Sequence, residues 1–282
     1  MEVIFLPKKP KKIQAHSHRQ VNSGTVVYCI DRRVNVGGIA KAMKRQRFPE
    51  DLVLAIKSSY GHESAGNKID LGDPIIAQSL VLGIGPGHPG KIVSVFGHNG
   101  KCGGMNAQHE LHKLEVQMKA ESRKGNKAKA DLIRKRIEKL KKDPILGWVS
   151  SDMNKFNGLI SVLRKKTGSQ REFLSFVNSE KFRLILEEFN VMVQLGKLIK
   201  RKDFRAYRKT ALKDGRGKID LVGGIYSPKE HISLKGKAYT ATGSVSFDFP
   251  EMYSVLGKET VEELLSSMNL KHSKGNPIVD YK

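Results

Sequence analysis

Two cysteines and one histidine stand where apolar runs of this chain end. Cys29 closes Val26-Val27-Tyr28-Cys29-Ile30-Asp31-Arg32-Arg33. His98 and Cys102 follow Val93-Ser94-Val95-Phe96-Gly97 in the segment His98-Asn99-Gly100-Lys101-Cys102-Gly103-Gly104. β-branched apolar runs of this length read as buried strands. Two thiolates and an imidazole delivered from two strand ends form a donor set that zinc takes, with a fourth position left for water. Asp31 lies two residues past Cys29 and so points to the same side of the strand end. A carboxylate there can accept the proton of a water activated by the metal. Arg33, two residues further on, can hold that carboxylate in a charge-assisted pair. In parallel sheets such groups collect at the carboxyl ends of the strands.

The elements that must position these groups follow from the same reading. Strands are expected over 24–30, 51–57, 91–97 and 218–226, the last ended by Ser227-Pro228. Helices are expected over 35–47 and 74–82, with 58–73 as a loop. A long helical stretch starts at Gly103 and breaks near Gly125, and 171–199 carries a fuller 3.6-residue apolar pattern of a buried helix. A last helix is expected over 258–268, before a Gly-Asn-Pro tail. Strands alternating with helices predict an α/β fold, a mostly parallel sheet flanked by helices on both faces. The chain divides into a basic arm (1–23), a zinc-binding α/β core (24–105), a basic helical insertion (106–217), and the last core strand with the C-terminal region (218–282).

Cys29-Ile30-Asp31-Arg32-Arg33 resembles the Cys-x-Asp-x-Arg motif of the β-class carbonic anhydrases. Gly97-His98 with Cys102-Gly103-Gly104 resembles their Gly-His-x-x-Cys-Gly-Gly motif, here with one more residue between His and Cys. Leu221-Val222-Gly223-Gly224-Ile225-Tyr226 is similar to a later strand of that family. The resemblance covers 24–105 and about 218–236. It implies a β-carbonic-anhydrase-like fold with a helical insertion. It also implies zinc on Cys29, His98 and Cys102, and a zinc-bound hydroxide that interconverts CO2 and bicarbonate. Asp31 would orient that hydroxide and Arg33 would hold Asp31. Relatives that hydrolyse CS2 or carbonyl sulfide share the ligand set. Where the family has an Arg-Asn-x-Gly-Asn-like segment, this chain reads Lys57-Ser58-Ser59-Tyr60-Gly61. The resemblance further implies a homodimer or a larger assembly. A closed structural zinc with Asp31 as fourth ligand is the competing reading of the same residues.

Charge points to a second class of function. The chain of 282 residues has a formal net charge of +23, from 51 Lys and Arg against 28 Asp and Glu. Basic residues concentrate in Lys119–Lys142 and Lys197–Lys209, which suggests nucleic acid or another polyanion as partner. On this alternative the zinc fold is a scaffold. Aromatics are sparse among these lysines, which argues against base stacking. Gly83-Ile84-Gly85-Pro86-Gly87 lacks the Lys-Ser/Thr pair of a phosphate loop and reads as a turn. Two cysteines give no disulfide framework, and no apolar run reaches the roughly 18 residues of a membrane span. The expected setting is cytoplasmic, away from membranes.

Overall fold

The computed structural model describes residues 22–30, 34–48, 50–64, 69, 91–99, 103–143, 152–213, 219–231, 240–247, 249–272 and 278–281. The 74–82 helix, the 83–87 turn, nearly all of the N-terminal arm, and Asp31, Arg33 and Cys102 lie outside them. The described strands are β1 (Asn22–Cys29), β2 (Tyr60–Ser64), β3 (Lys91–His98), β4 (Ile219–His231), β5 (Thr240–Phe247), β6 (Leu270–His272) and β7 (Ile278–Tyr281). They form one sheet in the order β2-β1-β3-β4-β7-β6, with β5 also on β4. β2, β1, β3 and β4 run parallel, and β5, β6 and β7 pair antiparallel. The class is α/β, as expected.

The described helices are α1 (Val36–Arg45), α2 (Glu50–Lys57), α3 (Gly103–Arg123), α4 (Lys127–Lys141), α5 (Met153–Lys166), α6 (Gln170–Val177), α7 (Glu180–Leu198), α8 (Lys202–Lys213), α9 (Pro250–Leu256) and α10 (Lys258–Ser267). Helices cover both faces of the sheet. On one face, Ile39 and Met43 of α1 and Ile56 of α2 pack with Val26, Phe96 and Val222. On the other, Ile185, Phe189 and Val191 of α7 pack with Val27, Val95 and Leu221. Residues 185–196 of α7 are buried at every position. Such a helix needs partners all round. It lies between the sheet and outer helices, where Phe156 of α5 meets Phe189 edge-on at 5.1 Å.

Four local expectations are corrected. Residues 51–57 are helix, not strand: Leu52, Val53, Ala55 and Ile56 are buried while Leu54 is 55% exposed. That is a helical spacing, whereas strand alternation would have put Leu54 with Leu52 and Ile56. The second strand is Tyr60–Ser64, inside the expected loop; it sits at the sheet's edge and buries one side chain, His62, so its sequence is polar. Residues 171–199 are two helices, because Ser179 turns the chain and accepts a bond from Phe182 N at 3.2 Å as the cap of α7. The strand at 218–226 continues through Ser227-Pro228 to His231. Beyond Tyr226 the described partner of β4 is β5 alone, and a proline's missing N–H is tolerated at a strand edge. The C-terminal region adds β5, α9, β6 and β7 to the one helix expected.

The Gly223-Gly224 pair is required by close approach. A Cβ at Gly223 would lie 2.7 Å from Leu195 Cδ1 and 3.1 Å from Val191 Cγ1, both on α7. Gly223→Ala is therefore expected to lose about 1–3 kcal/mol of stability through overpacking. Urea unfolding would show it as a lower midpoint with an unchanged slope.

Candidate metal centre at the carboxyl ends of β1 and β3

From β1 the chain passes to β2 on one side, then returns to β3 on the other. Such a reversal opens a crevice outside the carboxyl ends of the two central strands. Cys29 is the last residue of β1 and His98 the last of β3. Tyr28 is level with Phe96. The two donors thus end neighbouring strands within about one residue of each other. Both are buried, Cys29 with 4% of its surface exposed and His98 with 1%. The next backbone links close the edge: Ile30 N donates to Ser64 O at 3.0 Å, and Asn99 N to Tyr226 O at 2.9 Å.

Alternation decides what each donor faces. Cys29 follows Val27 onto the face covered by α7, where both belong to one apolar cluster. The β3 residue on that face is Gly97. His98 follows Phe96 in the alternation, towards the face of Tyr226, its partner on β4. Among the described residues no three His, Cys, Asp or Glu side chains come together as a metal group. Cys102 and Asp31 are outside that set. A buried thiol and a buried imidazole at adjacent strand ends are donors that zinc takes, with α3 starting one residue after Cys102 in sequence, but the two leave their strands towards opposite faces of the sheet.

α7 contributes two residues that sequence reading missed. Glu187 is buried, and its Oε2 lies 3.5 Å from where a Cβ on Gly97 would stand. Burial pushes its carboxyl well above the ordinary carboxylate range, the nearby Cys29 adds to the rise, and Arg183 pulls the other way. Arg183 donates from Nη2 to Asn99 Oδ1 at 2.8 Å and pairs with Glu180. One helix thus puts a buried acid beside Cys29 and ties down the residue after His98. The available signal was the acidic pair in Leu186-Glu187-Glu188-Phe189, inside an otherwise apolar helix. On the other side, Tyr28 donates to Glu63 Oε1 at 3.1 Å; burial, with that bond, pushes the phenol up to about 12.

Comparison with protein-family models and with curated proteins finds no match. His109 and His112, whose residue type can carry protons near neutral pH, are built into the helical layer. His109 Nε2 lies 2.8 Å from Val177 O, its ring packs on Phe182 at 5.5 Å, and burial lowers its pKa. His112 is buried beside Glu115 at 3.7 Å.

Proposed function

We propose that this protein is a zinc-dependent lyase that interconverts CO2 and bicarbonate, as its resemblance to the β-class carbonic anhydrases implies. The observation that carries the reading is the pair of buried donors, Cys29 and His98, ending adjacent parallel strands where the sheet order reverses. Cys29, His98 and Cys102 would hold the metal. When bound, zinc supplies a water acidified towards neutral pH. The chain's own residues do the rest. The Asp31 carboxylate accepts the proton of the attacking group and so fixes its lone pair towards the substrate carbon. Arg33 holds Asp31 in its charged, accepting form. Burial favours the protonated form of Glu187, which lessens the negative charge beside Cys29.

Stopped-flow CO2 hydration tests this reading. The zinc-loaded protein is expected to turn over CO2 at neutral to alkaline pH. Asp31→Asn, with its metal retained, is expected to lose about 100-fold or more, because a neutral amide oxygen accepts that proton's hydrogen bond more weakly and forms no charged pair with Arg33. A zinc-loaded wild type without activity across that pH range would overturn the proposal. Wild-type rates in Asp31→Asn would remove Asp31 and Arg33 from it.

A further inference from the structure

We propose that the junction of α3, α5 and α6 is a phosphate-binding site through which the protein holds the backbone of a nucleic acid duplex. It does not rest on the zinc chemistry.

The site is built by two arginines aimed at one neutral atom. Arg123, in the last turn of α3, donates from Nη1 to Gln170 Oε1 at 2.7 Å. Arg164, in the last turn of α5, donates from Nη2 to the same oxygen at 3.0 Å. Among the described residues neither guanidinium meets a carboxylate within ion-pair distance. The nearest acids by sequence are committed elsewhere. Glu172 accepts from Ser169 N and Oγ, both at 2.8 Å, as the capping box of α6. Glu121 takes Lys124 at 3.4 Å, Lys129 at 3.5 Å and the Asn126 amide at 3.1 Å. Two like charges are thus held together by an amide oxygen that offers only a partial charge. A phosphate supplies the full charge and several acceptor oxygens in the planar fork geometry that guanidinium matches.

The surroundings extend that point into a surface. Lys124 follows Arg123, Lys165 and Lys166 follow Arg164, and Arg171 follows Gln170. α4 buries Ala130, Ile133 and Ile137, and Ile133 and Ile137 meet Leu111 and Leu114 of α3. Its other side is exposed along about 22 Å of helix and carries Lys127, Lys135 and Lys139 in excess over Asp131 and Glu138. Duplex DNA presents one charge per about 1.7 Å of axis, so a surface of this length meets several phosphates. The second basic run of the sequence is less accessible than its composition suggests. Lys197 is bonded to the buried Asp152 at 2.7 Å, and Arg201, 2% exposed, is bonded to Asp203 at 2.6 Å. Lys200, Lys202, Arg205 and Lys209 of that run are exposed, and the surface is anchored by the two arginines.

The test is fluorescence anisotropy of the full chain with a labelled DNA duplex of about 20 base pairs, titrated at several salt concentrations between about 50 and 200 mM. Wild type is expected to bind with affinity that falls linearly against the logarithm of salt concentration. Each lost phosphate contact lowers that slope by about 0.9, so Arg123→Gln with Arg164→Gln should lower it by roughly 2. The same pair changed to lysine should keep most of the slope but bind more weakly, since the charge stays and the fork is lost. Circular dichroism and thermal unfolding of each variant would establish that both remain folded. Absence of binding at the lowest salt overturns the proposal. So does an unchanged slope in a folded double glutamine variant, or binding to anionic lipid vesicles without binding to the duplex.

Discussion

Zinc content is expected to fall from about one per chain in the wild type to near zero in Cys29→Ser. The loss is large because each ligand removed from a three-residue set leaves too few donors to compete with water. Serine does not supply the replacement, since its hydroxyl stays protonated at neutral pH while a cysteine thiol ionises readily on a metal. Elemental analysis of purified wild type, Cys29→Ser and Glu187→Gln separates ligation from general damage to the crevice. Glu187→Gln removes an acid whose protonated form burial favours, and it keeps the shape beside Gly97. It is expected to keep the metal. Equal zinc in wild type and Cys29→Ser would sink the assignment, whatever the activity. Loss of zinc in both variants would mean that Glu187 is itself part of the donor set.

What the sequence made legible follows from how each segment is buried. β1, β3 and the start of β4 are covered on both faces, and their short apolar runs (Val26 to Cys29, Ile92 to Phe96 around Ser94, Leu221 to Tyr226) announce them. β2 has one described neighbour and one buried side chain, so nothing in Tyr60-Gly61-His62-Glu63-Ser64 marked it. Leu52 to Ile56 is apolar throughout, and only the exposure of Leu54 separates helix from strand. Cys29 and His98 were visible because a polar ligand at the end of an apolar run is informative wherever the strand packs. Glu187 and Arg183 were not, because their relation to Cys29 and Asn99 comes from α7 crossing the sheet. The strand order around β1 lay out of reach as well, since sequence gives the elements but not which side of β1 each later strand joins.

Glu188 is expected to make the folded protein lose stability as pH rises through neutrality. Its carboxylate oxygens accept the free N–H groups at the start of α9, from Glu251 at 3.1 Å and Met252 at 2.7 Å. Burial nevertheless outweighs those bonds and pushes the group up to about 8 from its ordinary 4.5. Between those values the folded chain keeps the proton and the unfolded chain has released it. Raising pH therefore favours the unfolded state by about 1.4 kcal/mol per unit. Below 4.5 both states are protonated and above about 8 both are ionised, so the slope ends at each limit. His109 acts with the opposite sign: burial lowers its value in the folded state, so its contribution is complete once pH exceeds about 6.5. From pH 6.5 to 8, Glu188 should remove roughly 2 kcal/mol. Urea unfolding across that range reads the loss as a falling midpoint. Glu188→Gln keeps an acceptor for α9 but has nothing to ionise, so its curve should be flatter. Glu187, raised in the same direction, is expected to leave a remainder that Glu187→Gln then removes. A wild-type curve as flat as the double variant's would show that neither acid holds its proton in the fold.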